Sequence, residues 1–305
     1  MNKTLITAKT NPDLDGVACM YAYAEYLRGV GEDAVAGVFG EAHVEAKYLL
    51  DRFSVNDLPA NPAGPFDNFI LVDMSEAKGL PDVVVLDRIT EVIDHRSFGQ
   101  GKETFPNAKI QNEPVGAAAT LIAEKYFSAP FKISANSALL LAGAIYSNTL
   151  NFKGGVTTDR DHKALEWLKS QIAIPGQLVH EMFAAKTKSV VGDLETVVRS
   201  DFKSMNDIKG KKIGIAQLEI INLEEIITTN LTRILNLLKQ LKQELALDHI
   251  FLTVPDLEKG FNLIVTDDLN YQKILSEALG VSFTNSLAKT DHLLMRKEII
   301  PMLRK

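Results

Sequence analysis

Leu5-Ile6-Thr7-Ala8-Lys9-Thr10-Asn11-Pro12-Asp13-Leu14-Asp15-Gly16 is the stretch that decides the fold. Its first four residues form a short apolar run of strand type, and after the loop through Asp15 a helix opens at Gly16. From there Val17, Met20, Tyr21, Ala24 and Leu27 recur at helical spacing until Gly29 and Gly31 end the element. Asn11-Pro12-Asp13 therefore sits at a strand-to-helix turn. Further on, Phe69-Ile70-Leu71-Val72-Asp73 and Thr90-Glu91-Val92-Ile93-Asp94 are two more apolar runs, each ending in an aspartate. This pattern puts carboxylates at the carboxyl ends of strands, where open α/β sheets bind ligands.

At 305 residues the chain is too long for one ordinary core, and two domains are expected. The first half alternates short apolar runs with helical patterns, the signature of βαβ units on a mainly parallel sheet. Pro114 to Phe127 and Ala135 to Leu150 read as helices with a strongly apolar face, and Leu139, Leu141, Ala144 and Ile145 are core candidates. Asp159 to Leu168 reads as another amphipathic helix. A charge-rich stretch near Ala185 to Gly192 is expected to be the linker. Beyond it, Lys212 to Leu218, Ile250 to Val254 and Phe261 to Val265 read as strands, and Leu223 to Leu245 as a long amphipathic helix. The fold class is α/β: an N-terminal, mainly parallel sheet with flanking helices over residues 1–186, and a smaller mixed α/β domain over residues 193–305.

The composition is 46% apolar and 24% charged, that of an ordinary globular protein. No apolar run approaches the ~18 residues of a membrane span, and Met1-Asn2-Lys3-Thr4-Leu5-Ile6 enters a strand-like run without a signal-peptide stretch. The expected location is the cytoplasm. Cys19 is the single cysteine, so an intrachain disulfide or thiolate cluster is excluded and any metal must use oxygen and imidazole. A net charge of −6, with no block of five basic residues, argues against duplex nucleic acid as a partner.

Four segments come in the order and spacing of the DHH phosphoesterases: Asn11 to Gly16, Val72-Asp73, Ile93-Asp94-His95-Arg96, and Ser147-Asn148-Thr149-Leu150 followed by Phe152-Lys153. Glu113-Pro114-Val115-Gly116-Ala117, Asp201-Phe202-Lys203-Ser204 and Arg296-Lys297-Glu298-Ile299-Ile300-Pro301 resemble the manganese-dependent pyrophosphatase branch. The resemblance covers nearly the whole chain. It implies hydrolysis of a phosphoanhydride, with one or two divalent ions, manganese or else magnesium or cobalt. It also implies roles: Asp73 bridges metals, Asp13 serves the first, and Asp15, His95 and the position of Asn148 serve the second. Asp94 then orients His95, while Arg96, Lys203, Arg296 and Lys297, with Lys9, are expected to grip a small phosphorylated substrate between two domains. No membrane partner is expected, and a homodimer is a permitted assembly.

Hard ions prefer carboxylates with some imidazole, which is what these segments supply. Three positions depart from the branch. Lys9 stands where a metal-binding histidine is expected, Asn148 where an aspartate is expected, and Arg96 where a second histidine is expected. The last departure resembles the prune-like and exopolyphosphatase-like relatives. A protonated lysine has no lone pair and cannot ligate a metal. Three carboxylates and Lys9 leave two negative charges, which one divalent ion neutralises. Slow hydrolysis of pyrophosphate or short polyphosphate is the first reading. The alternatives are a phosphate or nucleotide binder on the same fold and a phosphodiesterase acting on small nucleotides.

Overall fold

In the computed structural model, which describes residues 3–96, 101 and 103–305, the run at Leu5 is strand β1 (Thr4–Thr7) and leads into helix α1 (Leu14–Gly29). Met1 and Asn2, where the strand-like run was expected to open, lie outside the described residues. Helix α1 starts two residues earlier than its apolar periodicity indicates. Asp13 explains this, because its Oδ1 accepts the Gly16 N–H at 3.2 Å and caps the first turn.

The chain continues through β2 (Ala34–Ala36), α2 (Val44–Arg52), β3 (Asn68–Val72), β4 (Ile89–Asp94), β5 (Lys109–Asn112), α3 (Ala118–Tyr126), α4 (Ala135–Asn148) and α5 (Asp159–Gln171). The five strands form one sheet in the order β2-β1-β3-β4-β5, every pairing parallel. Leu5 and Ile6 point to opposite faces and both are fully buried, as a parallel sheet covered on both sides requires. Because β1, β3 and β4 are neighbours running the same way, the segments that leave their carboxyl ends meet along one rim. Those segments are the Lys9–Asp15 turn, Asp73, and Asp94 to Arg96.

Two expectations need correction. Residues 114–117 are not helical, and Ala117 is extended at φ −145° and ψ 146°, so α3 begins only at Ala118. The stretch Ala185 to Gly192 is not a linker but the second half of helix α6 (Leu178–Gly192). Its buried face mixes Phe183 and Val190 with a polar Thr187, whose hydroxyl donates to the Phe183 carbonyl at 2.8 Å.

The chain divides into two compact units, Met1–Met182 and Phe183–Lys305, with the division inside α6. The second unit holds α7 (Leu194–Ser200), β6 (Phe202–Ile208), β7 (Lys211–Gln217), α8 (Leu223–Glu244), β8 (His249–Pro255), β9 (Asn262–Val265), α9 (Leu269–Leu279), β10 (Phe283–Thr284), β11 (Leu287–Lys289) and α10 (Arg296–Arg304). Its sheet is mixed, ordered β10-β11-β9-β8-β7-β6, with β7 and β8 parallel and the other pairs antiparallel. One face packs against Ile227, Ile234, Leu238 and Leu241 of α8, the other against Tyr271, Leu275, Ile299 and Leu303 of α9 and α10. No described helix is long and apolar enough to cross a membrane.

Candidate metal centre

Asp15, on the first turn of α1, is fully buried, and its carboxylate faces the start of α3. The Ala118 and Ala119 N–H groups donate to its two oxygens at 2.8 Å each, so the positive end of α3 holds the negative charge. Cys19, one turn along α1, donates its thiol to Asp15 Oδ1 at 3.4 Å, and burial together with Asp15 pushes that thiol well up.

Asp73 follows β3 in the left-handed region at φ 52°, held there by its N–H, which donates to the Ile93 carbonyl at 2.9 Å. This turn aims a carboxylate that is 1% exposed back into the rim. Oδ1 lies 3.2 Å from Arg96 Nη2 and 3.5 Å from His95 Nε2. Oδ2 is buried with no hydrogen-bond partner among the described residues. Burial, with Asp13 close by, pushes the Asp73 carboxyl well above the usual range.

His95 Nδ1 lies 3.0 Å from the Val115 carbonyl. A carbonyl can only accept, so Nδ1 carries a proton and Nε2 is the atom turned to Asp15 (3.8 Å) and Asp73. Burial opposes charge on the ring, yet the two carboxylates hold its pKa at about 9. Asp94, expected to orient the imidazole, reaches the main chain instead. It accepts the His95 N–H at 2.8 Å and the Ser75 hydroxyl at 2.5 Å. The ring is set by Val115, a backbone contact on which a side-chain motif is silent.

At the other side of the cluster the Lys9 Nζ lies 2.6 Å from Asp13 Oδ2. Burial would lower the ammonium, but Asp13 and Asp73 keep it raised. In turn, against burial, Lys9 holds the Asp13 carboxyl at about 2. Asn148, at the end of α4, presents its amide nitrogen and not its oxygen, donating to Asp15 Oδ2 at 2.6 Å. Arg96 is half-exposed and spans Asp73 and, at 3.7 Å, Asp94.

Ligand atoms of Asp15, Asp73 and His95 lie within 4.8 Å of one another. A buried carboxylate oxygen without a donor is costly unless a cation meets it, and Asp73 Oδ2 is such an atom. Two carboxylates and one imidazole with its far nitrogen engaged suit a manganese-type ion. Beside Asp13 the nearest side-chain group is the Lys9 ammonium, which has no lone pair to offer a metal.

In the second unit, Arg296 is 8% exposed and its guanidinium is spent inside the fold. Nη2 reaches Asp201 Oδ1 at 2.6 Å, and Nη1 reaches the Asp201 and Ile215 carbonyls. Lys203 and Lys297 are exposed, and the Arg296–Asp201 pair ties the start of α10 to the residue that precedes β6.

The description "DHH family, N-terminal domain" matches residues 3–145, and "DHHA2 domain" matches residues 180–305. A "probable manganese-dependent inorganic pyrophosphatase" of Clostridium acetobutylicum is 30% identical over 302 residues, covering 98% of this chain and 96% of the relative. A manganese-dependent inorganic pyrophosphatase of Methanothrix thermoacetophila is 30% identical over 305 residues, with coverage of 98% and 96%. A solved structure from Methanococcus jannaschii, a "putative family II inorganic pyrophosphatase", superposes with a TM-score of 0.68 at 26% identity, covering 99% of this chain and 98% of that one. With a parallel-sheet rim of aspartates in the first unit and a mixed sheet in the second, matched from end to end, the chain belongs to the DHH family in its form with a DHHA2 domain.

Proposed function

We propose that the protein is a manganese-dependent hydrolase of phosphoanhydride bonds, acting on inorganic pyrophosphate or short polyphosphate through a single resident ion. The observation that carries this reading is the unpartnered, buried Asp73 Oδ2 at the centre of the Asp15, Asp73 and His95 cluster. The names of the full-length relatives support the reaction class. Manganese held by these three residues would polarise a phosphoryl oxygen and lower the pKa of a bound water.

The chain's own groups do the rest. The Ala118 and Ala119 amides fix Asp15, and Val115 fixes the His95 ring. Half-exposed Arg96 offers a planar fork to substrate phosphate, and exposed Lys203 and Lys297 offer point charges. Lys9 supplies the charge of the first ion but cannot ligate water, so turnover is slow. A cytoplasmic location and a small, free phosphorylated substrate belong to this reading.

A second reading is a phosphate binder without turnover. It is favoured by the Asn148 amide, which occupies Asp15 as an ion would. A phosphate-release screen over pyrophosphate, short polyphosphate and small phosphoesters, with manganese, magnesium and cobalt in turn, separates the two. Manganese-stimulated release from pyrophosphate is the expected result. No release with any ion, together with a melting temperature raised by pyrophosphate, would establish the binder.

A further inference from the structure

We infer that Asp161, on the first turn of α5, is a positioning residue for the metal centre and acts through the turn Val115–Ala119. The inference rests on the single-ion reading above. Asp161 is fully buried and touches none of Asp15, Asp73 and His95. Its Oδ2 accepts the Thr158 N–H and hydroxyl, both at 2.7 Å, which is the capping box of α5. A cap requires nothing more. Yet the same carboxylate takes the Gly116 N–H on both oxygens, at 3.0 and 2.9 Å, and the Thr120 hydroxyl at 2.6 Å.

Those extra contacts grip the one turn that serves the centre twice. Val115, next to Gly116, gives the carbonyl that takes the His95 Nδ1 proton. Ala118 and Ala119, flanked by Gly116 and Thr120, give the two amides that hold Asp15. One buried carboxylate thus sets the tautomer of the imidazole and the place of an acidic ligand. Gly116 is required for this approach: a Cβ there would stand 2.7 Å from Asp161 Oδ2 and 2.6 Å from Thr149 Cγ2. Partners of this kind, one shell away from the ligands, carry tens-fold effects on metal affinity.

Three variants of the full chain test the inference: Asp161→Asn, Gly116→Ala, which pushes the turn away from the Asp161 carboxylate, and Thr158→Ala, which weakens the α5 cap and touches no atom of the turn. In metal-free protein, Asp161→Asn and Gly116→Ala should speed amide exchange at Ala118 and Ala119 about tenfold and, in spectra recorded above the ring's pKa of about 9 where the imidazole is neutral, shift the His95 ring nitrogen-15 signals away from the Nδ1–H pattern. Manganese affinity should fall about tenfold in both. Thr158→Ala should lower the melting temperature and move none of these. Unchanged exchange and ring signals in Gly116→Ala, or equal changes in Thr158→Ala, would overturn the inference. Should Asp161→Asn fail to fold, Gly116→Ala decides. Absence of manganese binding in the unsubstituted protein would remove the single-ion reading, while the exchange and nitrogen-15 results still decide the role of Asp161.

Discussion

The Lys9 ammonium lies 2.6 Å from Asp13 Oδ2, so the positive charge that a metal would bring to this carboxylate is supplied by the chain itself. Asp13 is also the cap of α1, through its other oxygen. The unsubstituted protein should bind one manganese per chain in a metal titration. The double variant Lys9→His, Asn148→Asp should bind two and hydrolyse pyrophosphate faster, because both departures from the branch are reversed. A metal-soaked crystal of the unsubstituted protein with two fully occupied ions and the Lys9 amine turned away from Asp13 would sink this.

Asp73 gives a prediction in which function and stability move in opposite directions. Its Oδ2 is a buried acceptor with no donor, and burial pushes its carboxyl well up. Asp73→Asn puts a permanently neutral side chain where burial already favours the neutral carboxyl, and should leave metal-free protein as stable as the unsubstituted chain, or more so. The same change should lower manganese affinity by about 100-fold or more and abolish metal-dependent phosphate release. Thermal melts of the metal-free variant, read beside a manganese titration, check both halves; unchanged turnover would remove Asp73 from the centre.

How much of this was legible in the sequence depends on whether a feature is local and periodic. The β1 to α1 turn was readable because Leu5-Ile6 and the Val17, Met20, Ala24 spacing change period across Asp13. Strands β2 and β5 were missed: one has three residues, and Lys109–Asn112 carries three polar residues in four at an edge. Helix α6 was hidden by Thr187, a polar residue on its buried face that bonds locally and accepts the Ile221 N–H. The acidic cluster was legible because Asp13, Asp73 and Asp94 end strand or loop motifs. The Val115 carbonyl and the Asp161–Gly116 contact were not, since one is backbone and the other joins residues 45 apart.

In the second unit, Asp268 sets acid stability. It caps α9 through the Tyr271 N–H at 3.1 Å, and its other oxygen takes His249 Nδ1 at 2.8 Å and Lys242 Nζ at 2.9 Å. Burial works against the charge, but His249 and Lys242 hold its pKa at about 2. The folded value lies below the ordinary ~3.9, so the stabilisation is complete above that value and is lost as pH falls through about 2. Asp268→Asn keeps a cap and loses the ion pairs. Denaturant melts should show a cost on the order of 1–2 kcal/mol at pH 7 after allowance for solvent screening, shrinking toward zero near pH 2. A cost that stays constant from pH 7 to pH 2 would contradict the assignment.

The terminal basic residues divide into two kinds, and a mutation series can tell them apart. Arg296 was expected to face substrate, yet its guanidinium is buried and engaged by the Asp201 carboxylate and two carbonyls. Removing it strands those acceptors, so Arg296→Ala should cost about 2–3 kcal/mol and loosen the starts of α10 and β6. Gln217 keeps its bond to the residue 296 N–H in that variant, so the helix start is not lost altogether. Lys203 and Lys297 are exposed, and Lys203→Ala or Lys297→Ala should leave the melting temperature within about a degree, as for most surface changes. In either lysine variant KM for pyrophosphate should rise several-fold with manganese affinity constant, because a cation pairs with phosphate and cannot ligate a metal. Arg296→Ala with an unchanged melting temperature and a raised KM alone would return that residue to the substrate.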